Sequence, residues 1–129
     1  MSSKKAFSLL ELLLVVAIMG ILLSLGSVNY NKMKERAVDK EAIANLKLIQ
    51  AAEKTYRMEM SVYYAGDAVA DLNPNLKLSL SETNWDFATD AAGTGTAERV
   101  AGSYIRTWTM LITDDDEPDC TATPPGACL

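Results

Sequence analysis

Histidine is absent from this 129-residue sequence, and cysteine occurs only at Cys120 and Cys128. Acyl-transfer and thiol enzymes activate a nucleophile with a neighbouring base, most often histidine, so their usual constellations cannot be assembled here. Two cysteines without histidine also cannot supply the four ligands of a structural zinc site. Acidic residues are plentiful, but no pair of them is singled out as acid and base. We therefore expect a protein that is not an enzyme.

Positive charge is scarce in the C-terminal half. Residues 61–129 contain eleven acidic and three basic side chains, a net charge of −8, whereas residues 29–60 carry seven basic and five acidic side chains, a net charge of +2. An acidic body repels nucleic acid and anionic membrane surfaces. Direct nucleic-acid binding is therefore not expected.

One charge interrupts the hydrophobic run near the N-terminus. Between Phe7 and Val28 the only charged residue is Glu11. A carboxylate at the centre of a membrane helix costs about 2.5–3.5 kcal/mol, but flanking Leu, Ile and Val residues each return a few tenths, so the segment still inserts. An ionisable group in such a segment indicates a functional site.

Two simpler interpretations of the run remain open. Lys4 and Lys5 precede it without any acid, which is the layout of a secretory signal peptide, and Ser24-Leu25-Gly26 would serve as its cleavage site. The second interpretation is an uncleaved membrane anchor, with Glu11 at the headgroup boundary. An acid is unusual in a signal core, and the helical pattern continues past Gly26.

The ordered segment from Lys4 to Leu22, KKAFSLLELLLVVAIMGIL, resembles the type III signal of type IV prepilins and pseudopilins. The resemblance implies cleavage between Ala6 and Phe7 by a prepilin peptidase, followed by N-methylation of Phe7. It also implies that Glu11 pairs with the N-terminal amine of a neighbouring subunit, so that two buried charges neutralise each other. Family members usually have Gly at the position of Ala6, and many have Pro at that of Val28.

The helical pattern extends well beyond the apolar run. Apolar residues recur at helical spacing from Val38 to Met60, and no Pro or Gly interrupts residues 29–60. We expect one helix from about Phe7 to about Met60, roughly 80 Å long at the standard rise. The opposite face, expected to be solvated, carries Lys32, Lys34, Arg36, Lys40, Glu41, Lys47 and Glu53.

Turn and strand patterns follow the helix. Asp71–Asn75 has the composition of a turn, and alternation predicts strands over Leu76–Leu80 and Trp85–Thr89. Enrichment in aromatic and β-branched residues predicts a further strand over Ser103–Thr113. Gly93–Thr96 is predicted to be a loop, not a phosphate cradle, because it lacks the third glycine and the flanking strand and helix. The fold class is therefore predicted as α+β and pilin-like, with the amphipathic half of the helix packed on a small antiparallel sheet.

The C-terminal tail suggests two further sites. In an oxidising compartment Cys120 and Cys128 are expected to form a disulfide, and looped, disulfide-bounded C-termini are also a feature of many type IV pilins. The acidic run contains weak candidates for calcium ligands, because hard oxygens are dense there but no EF-hand pattern is present. These candidates are Asp114, Asp115, Asp116 and Asp119. A solvated acidic surface is the alternative, and no other cofactor is expected.

The resemblance divides the chain into a leader peptide (1–6), a hydrophobic transmembrane and fibre-core half-helix (7–28) and a periplasmic or extracellular globular domain (29–129). It implies a subunit of a type IV pilus, held in the bacterial inner membrane before assembly and on the cell surface afterwards. The expected partners are prepilin peptidase, membrane lipid, the inner-membrane assembly machinery and copies of the chain itself. The alternatives are a pseudopilin in a periplasmic pseudopilus of a type II secretion system and a membrane-anchored binding protein that never assembles.

Overall fold

A computed structural model describes residues 7–99, 105–123, 125 and 128 of the chain, apart from the side chains of residues 25–29. Two helices precede four strands, which form one antiparallel sheet in the order β1-β2-β3-β4. The elements are α1 (Leu9–Met60), α2 (Val69–Leu76), β1 (Trp85–Thr89), β2 (Thr94–Arg99), β3 (Ile105–Leu111) and β4 (Asp119–Thr123). The predicted α+β class, with a long N-terminal helix and a small antiparallel sheet, is confirmed.

Helix α1 begins where the carbonyl of Ser8 accepts hydrogen bonds from the backbone N–H groups of Glu11 and Leu12. It ends at Met60, after which Ser61 adopts a left-handed conformation with φ of 62°. The predicted extent is therefore confirmed to within two residues. The chain forms two compact units, Met1–Glu35 and Arg36–Leu129, and α1 contributes to both. The predicted domain limits after residues 6 and 28 stay predictions.

The core of the second unit lies between one face of α1, helix α2 and one face of the sheet. Alternation along the strands points every second side chain inward, so Trp85 and Phe87 on β1 and Trp108 and Met110 on β3 are buried. The indole N–H of Trp85 donates to the carbonyl of Val38, which ties β1 to α1 at 2.8 Å. The buried apolar residues from the helices are Ala42, Leu46, Ile49, Val69, Leu72 and Leu76.

Helix α2 corrects two predictions. The region of Asp71–Asn75 is helical, because Val69, Leu72 and Leu76 recur at helical spacing and bury one face. Leu76–Leu80 is not a strand: Lys77 ends the helix in a left-handed conformation, with φ of 55°. The Asn73 side chain accepts a hydrogen bond from the backbone N–H of Leu80 and donates one to the Leu80 carbonyl. The backbone polar groups of Leu80 therefore have partners without strand pairing.

The sheet has two strands that the sequence patterns missed. Gly93 lies in a turn as predicted, with φ of +88°, but Thr94–Thr96 belongs to β2. A side chain at Gly93 would also meet the ring of Tyr63, with the added Cβ 2.7 Å from Cε2. The prediction of β1 is confirmed, and β3 lies within the predicted Ser103–Thr113, of which residues 103 and 104 lie outside the described residues. Strand β4, for which no strand was predicted, begins at the end of the acidic run and pairs with β3.

Candidate assembly site

The N-terminal unit presents a run of exposed apolar side chains with a single carboxylate. Phe7 is 74% exposed and Leu9 82% exposed, and the large apolar side chains up to Leu23 are likewise exposed. Glu11 lies in the first turn of α1, is exposed and forms no ion pair with another residue that the structure describes. Helix starts favour acidic residues because the free N–H groups there carry a partial positive charge.

The predicted cleavage site is only half visible. Ala6 lies outside the described residues, whereas Phe7 is described and precedes the first residues of the helix. Cleavage at this bond, N-methylation of Phe7 and the pairing of Glu11 stay predictions. Within the described part of the chain, neither helix has an apolar stretch of sufficient length to count as a membrane span.

Exposure of this kind has a plain energetic consequence. Burying one large apolar side chain contributes about 1.5–3 kcal/mol relative to leaving it in water. In these residues of α1 that contribution is unused within the chain, so a neighbouring apolar surface would release it. The carboxylate of Glu11 would resist such burial unless a cation accompanied it. The segment therefore combines exposed apolar side chains, which any apolar surface could cover, with one carboxylate whose burial would require a cationic partner.

In the second unit, the acidic loop at residues 114–117 contacts α1. Lys47 Nζ lies 2.6 Å from Glu117 Oε1, and Lys54 Nζ lies 2.7 Å from Asp115 Oδ1. The hydrogen bond from Lys54 and its positive charge lower the pKa of Asp115. Among the described residues no group of three or more Asp, Glu or Cys side chains lies close enough to hold a metal ion, and calcium binding stays a prediction.

One ion pair inside the body was not foreseen. The guanidinium of Arg106 on β3 lies 2.7 Å from Asp39 Oδ2 on α1, and both side chains are almost fully buried. Paired charges tolerate burial because each neutralises the other, whereas a lone buried charge is strongly unfavourable. The pair therefore links α1 directly to β3.

Glu53 was predicted on the solvated face, and this prediction is wrong. Its side chain is fully buried, four residues after Ile49 on the apolar face of α1. Its carboxylate accepts a hydrogen bond from the backbone N–H of Tyr64 at 2.9 Å. Burial raises the pKa of Glu53, and hydrogen bonds with the Tyr64 backbone and the Thr89 side chain offset part of that rise. Glu53 therefore holds the backbone at Tyr64, in the segment that follows α1, against the helix.

Cys120 on β4 is joined to Cys128 by a disulfide, as predicted, with the Cα atoms 6.1 Å apart. Cys120 pairs directly with Trp108 across β3 and β4, so the disulfide ties the chain beyond β4 to the sheet. Strand β4 is the last strand of the sheet. The disulfide thus constrains the edge next to the C-terminus.

Two comparisons with known proteins give a match, one of them to the N-terminal region. The model of the prokaryotic N-terminal methylation motif matches residues 1–27. The chain is 39% identical to the type IV major pilin protein PilA of Myxococcus xanthus strain DK1622 over 59 residues, which cover 46% of this chain and 27% of the relative. No solved structure gives a significant match. The methylation motif and the similarity to a major pilin support the resemblance of this chain to type IV pilins and pseudopilins, and the long helix with its antiparallel sheet is consistent with that resemblance.

Proposed function

We propose that the chain is a structural subunit of a type IV pilus, with no catalytic activity of its own. Prepilin peptidase cleaves it between Ala6 and Phe7 and methylates the new amine, and copies of the chain then assemble through their N-terminal helices. The proposal rests above all on the exposed apolar run with its single carboxylate, Glu11, directly after the methylation motif. Similarity to a major pilin supports it.

The physical role of each part follows from its chemistry. Mutual burial of the apolar side chains between Phe7 and Leu23 supplies cohesion without direction. Glu11 supplies direction, because a helix that extends to Phe7 would place the Glu11 carboxylate about 6 Å along the axis from the Phe7 amine of the same chain. A neighbour must be axially offset to bring its amine alongside, which generates a staggered stack. The inner membrane holds the same apolar segment before assembly.

The decisive experiment determines the mature N-terminus and the location of the assembled protein. Mass spectrometry of the protein from its native cells is expected to show an N-methylated phenylalanine at position 7. Immunogold labelling is expected to decorate surface filaments that contain this chain. Any other N-terminus contradicts prepilin processing.

The same experiment separates the alternatives. Correct processing without surface filaments, together with assemblies confined to the periplasm, would assign the chain to a pseudopilus instead. Correct processing with a protein that stays monomeric in the inner membrane would assign it to a non-assembling binding protein. Both outcomes contradict the proposal of a pilus subunit.

A further inference from the structure

Two like-charged pairs on the surface of the second unit carry opposite signs and similar spacing. On the outer face of the sheet Asp86 and Glu98 are directly opposite each other across β1 and β2, and both are exposed. On α1 Arg36 and Lys40 are exposed and one helical turn apart. Like charges are unfavourable in both positions, directly across two strands and at i, i+4 in a helix.

The outer face of the sheet is acidic along its described strands. Alternation directs Asp86, Glu98 and Asp119 away from the core, and no Lys or Arg of the described strands shares that face. The remaining side chains there are mostly threonine, with a few small or aliphatic residues. The face therefore has a net negative charge and a flat surface of short side chains.

Neither pair is neutralised within the described residues. Ion pairs that form there include those of Lys47 with Glu117, Lys54 with Asp115 and Arg106 with Asp39. No ion pair between described residues involves Asp86, Glu98, Arg36 or Lys40. Both unfavourable pairs thus persist in the isolated subunit.

The spacing of the two pairs is compatible with direct contact. Directly opposed residues on antiparallel strands have Cβ atoms about 4.5–5.5 Å apart. Residues four apart on a helix have Cβ atoms about 5–6 Å apart. Two carboxylates can therefore meet two cations at once, and such complementarity selects partner and register.

We propose that the acidic pair Asp86–Glu98 of one copy binds the basic pair Arg36–Lys40 of a second copy. This inference rests on the proposed function and adds a contact between globular bodies to the contact between N-terminal helices. The two surfaces are different parts of the same chain, so the contact is heterologous and leaves one free surface of each kind. Contacts of that type propagate into open helical filaments when the rotation does not close a ring.

Charge reversal in the full-length chain tests the contact. We expect Asp86→Lys with Glu98→Lys, and separately Arg36→Glu with Lys40→Glu, each to lower the yield of sheared surface filaments by at least about tenfold. The matched control is Asp71→Lys with Glu82→Lys, which makes the same charge change at exposed positions off the sheet and is expected to leave the yield unchanged.

Co-expression distinguishes a contact between copies from one within a copy. The sheet variant presents two basic surfaces and the helix variant two acidic surfaces, so the two variants alternate in one filament and restore the yield. A contact within one copy gives no such rescue. Circular dichroism of each purified variant verifies that it is folded, and folded variants that fail to rescue each other overturn the proposal.

Cross-linking of wild-type filaments provides a second measurement. In filaments grown from mixed 14N- and 15N-labelled subunits, a carbodiimide is expected to join Lys40 to Asp86 or Glu98 in peptides of mixed isotope. Absence of that mixed cross-link overturns the proposal. The proposal is also overturned if the charge-reversal variants form filaments in normal yield but no longer co-purify with a different protein, because the charged pairs would then bind that protein and not a second copy. Wild-type cells without any filaments would instead contradict the proposed function itself.

Discussion

The two compact units of this protein differ in which side chains they bury and which they expose. Residues 7–24 expose their apolar side chains and keep one carboxylate, Glu11, at the helix start. The second unit buries its apolar residues and also buries charged ones, namely Asp39, Glu53 and Arg106. The difference indicates that the core of the second unit is stabilised by contacts within the chain, whereas the described apolar side chains of the N-terminal segment have no such contacts.

The sharpest way to break this comparison is to remove the lone carboxylate of the exposed segment. We expect Glu11→Ala to abolish surface filaments while membrane insertion persists, because the change removes a charge that is unfavourable in a membrane helix and, with it, the charge proposed to pair during assembly. Filament yield and membrane fractionation measure the two effects. Glu59→Ala, which removes another exposed carboxylate of α1, is the control. Normal filament abundance in Glu11→Ala would contradict the pairing role.

Breaking the buried ion pair is expected to have the next largest effect. Asp39→Ala leaves Arg106 buried without its carboxylate, which should lower the free energy of unfolding by about 3–5 kcal/mol. Replacing both residues, as Asp39→Leu with Arg106→Met, should recover most of that loss. Urea unfolding of the detergent-solubilised full chain, followed by tryptophan fluorescence, measures both, with exposed Asp67→Ala as control. A loss in Asp39→Ala no larger than in the control would contradict the pair's role.

Removal of the disulfide tests how far the body depends on a covalent constraint. Cys120→Ala with Cys128→Ala should lower the free energy of unfolding by about 2–3 kcal/mol, because the short loop then regains entropy in the unfolded chain. Reduction of the wild-type protein should give the same change in the urea midpoint. Reduction of the double variant is the control and should have no effect. Equal midpoints for wild type and variant would contradict a stabilising disulfide.

Glu53 should give the smallest effect, one that depends on pH. Burial raises its pKa in the folded state above the ordinary 4.5, so the folded protein holds the proton more tightly than the unfolded chain. The resulting stability is present below pH 4.5 and is lost as the pH rises through the folded-state pKa. Glu53→Gln, which stays neutral, should therefore match wild type in acid and exceed its stability near neutral pH.

Urea midpoints of wild type and Glu53→Gln across that pH range measure the effect. Exposed Glu59→Gln is the matched control on the same helix and should show no pH-dependent difference from wild type. A constant difference between Glu53→Gln and wild type at every pH would indicate that altered packing, not titration, causes it.

Local pattern was sufficient for the parts of the fold that depend on neighbours in sequence. The helical period without Pro or Gly predicted α1, alternation predicted β1, and enrichment in aromatic and β-branched residues predicted β3. Local pattern gave a wrong prediction where turn composition and a helical period coincide. Asp71–Asn75 has turn composition, yet Val69, Leu72 and Leu76 bury a helical face against the core. A test of helical spacing across residues 69–76 would have found α2.

The sequence by itself determined the N-terminal segment proposed for assembly, because its motif is contiguous and its chemistry lies in residue types and spacing. Only the tertiary structure decided which charges are buried, since Arg106 reaches Asp39 across 67 residues and Lys54 reaches Asp115 across 61. No local period encodes such distant pairings, which form when the sheet packs on α1. The same packing buries Glu53, whereas the pairing of β1 with β2 places Asp86 beside Glu98 on the outer face of the sheet.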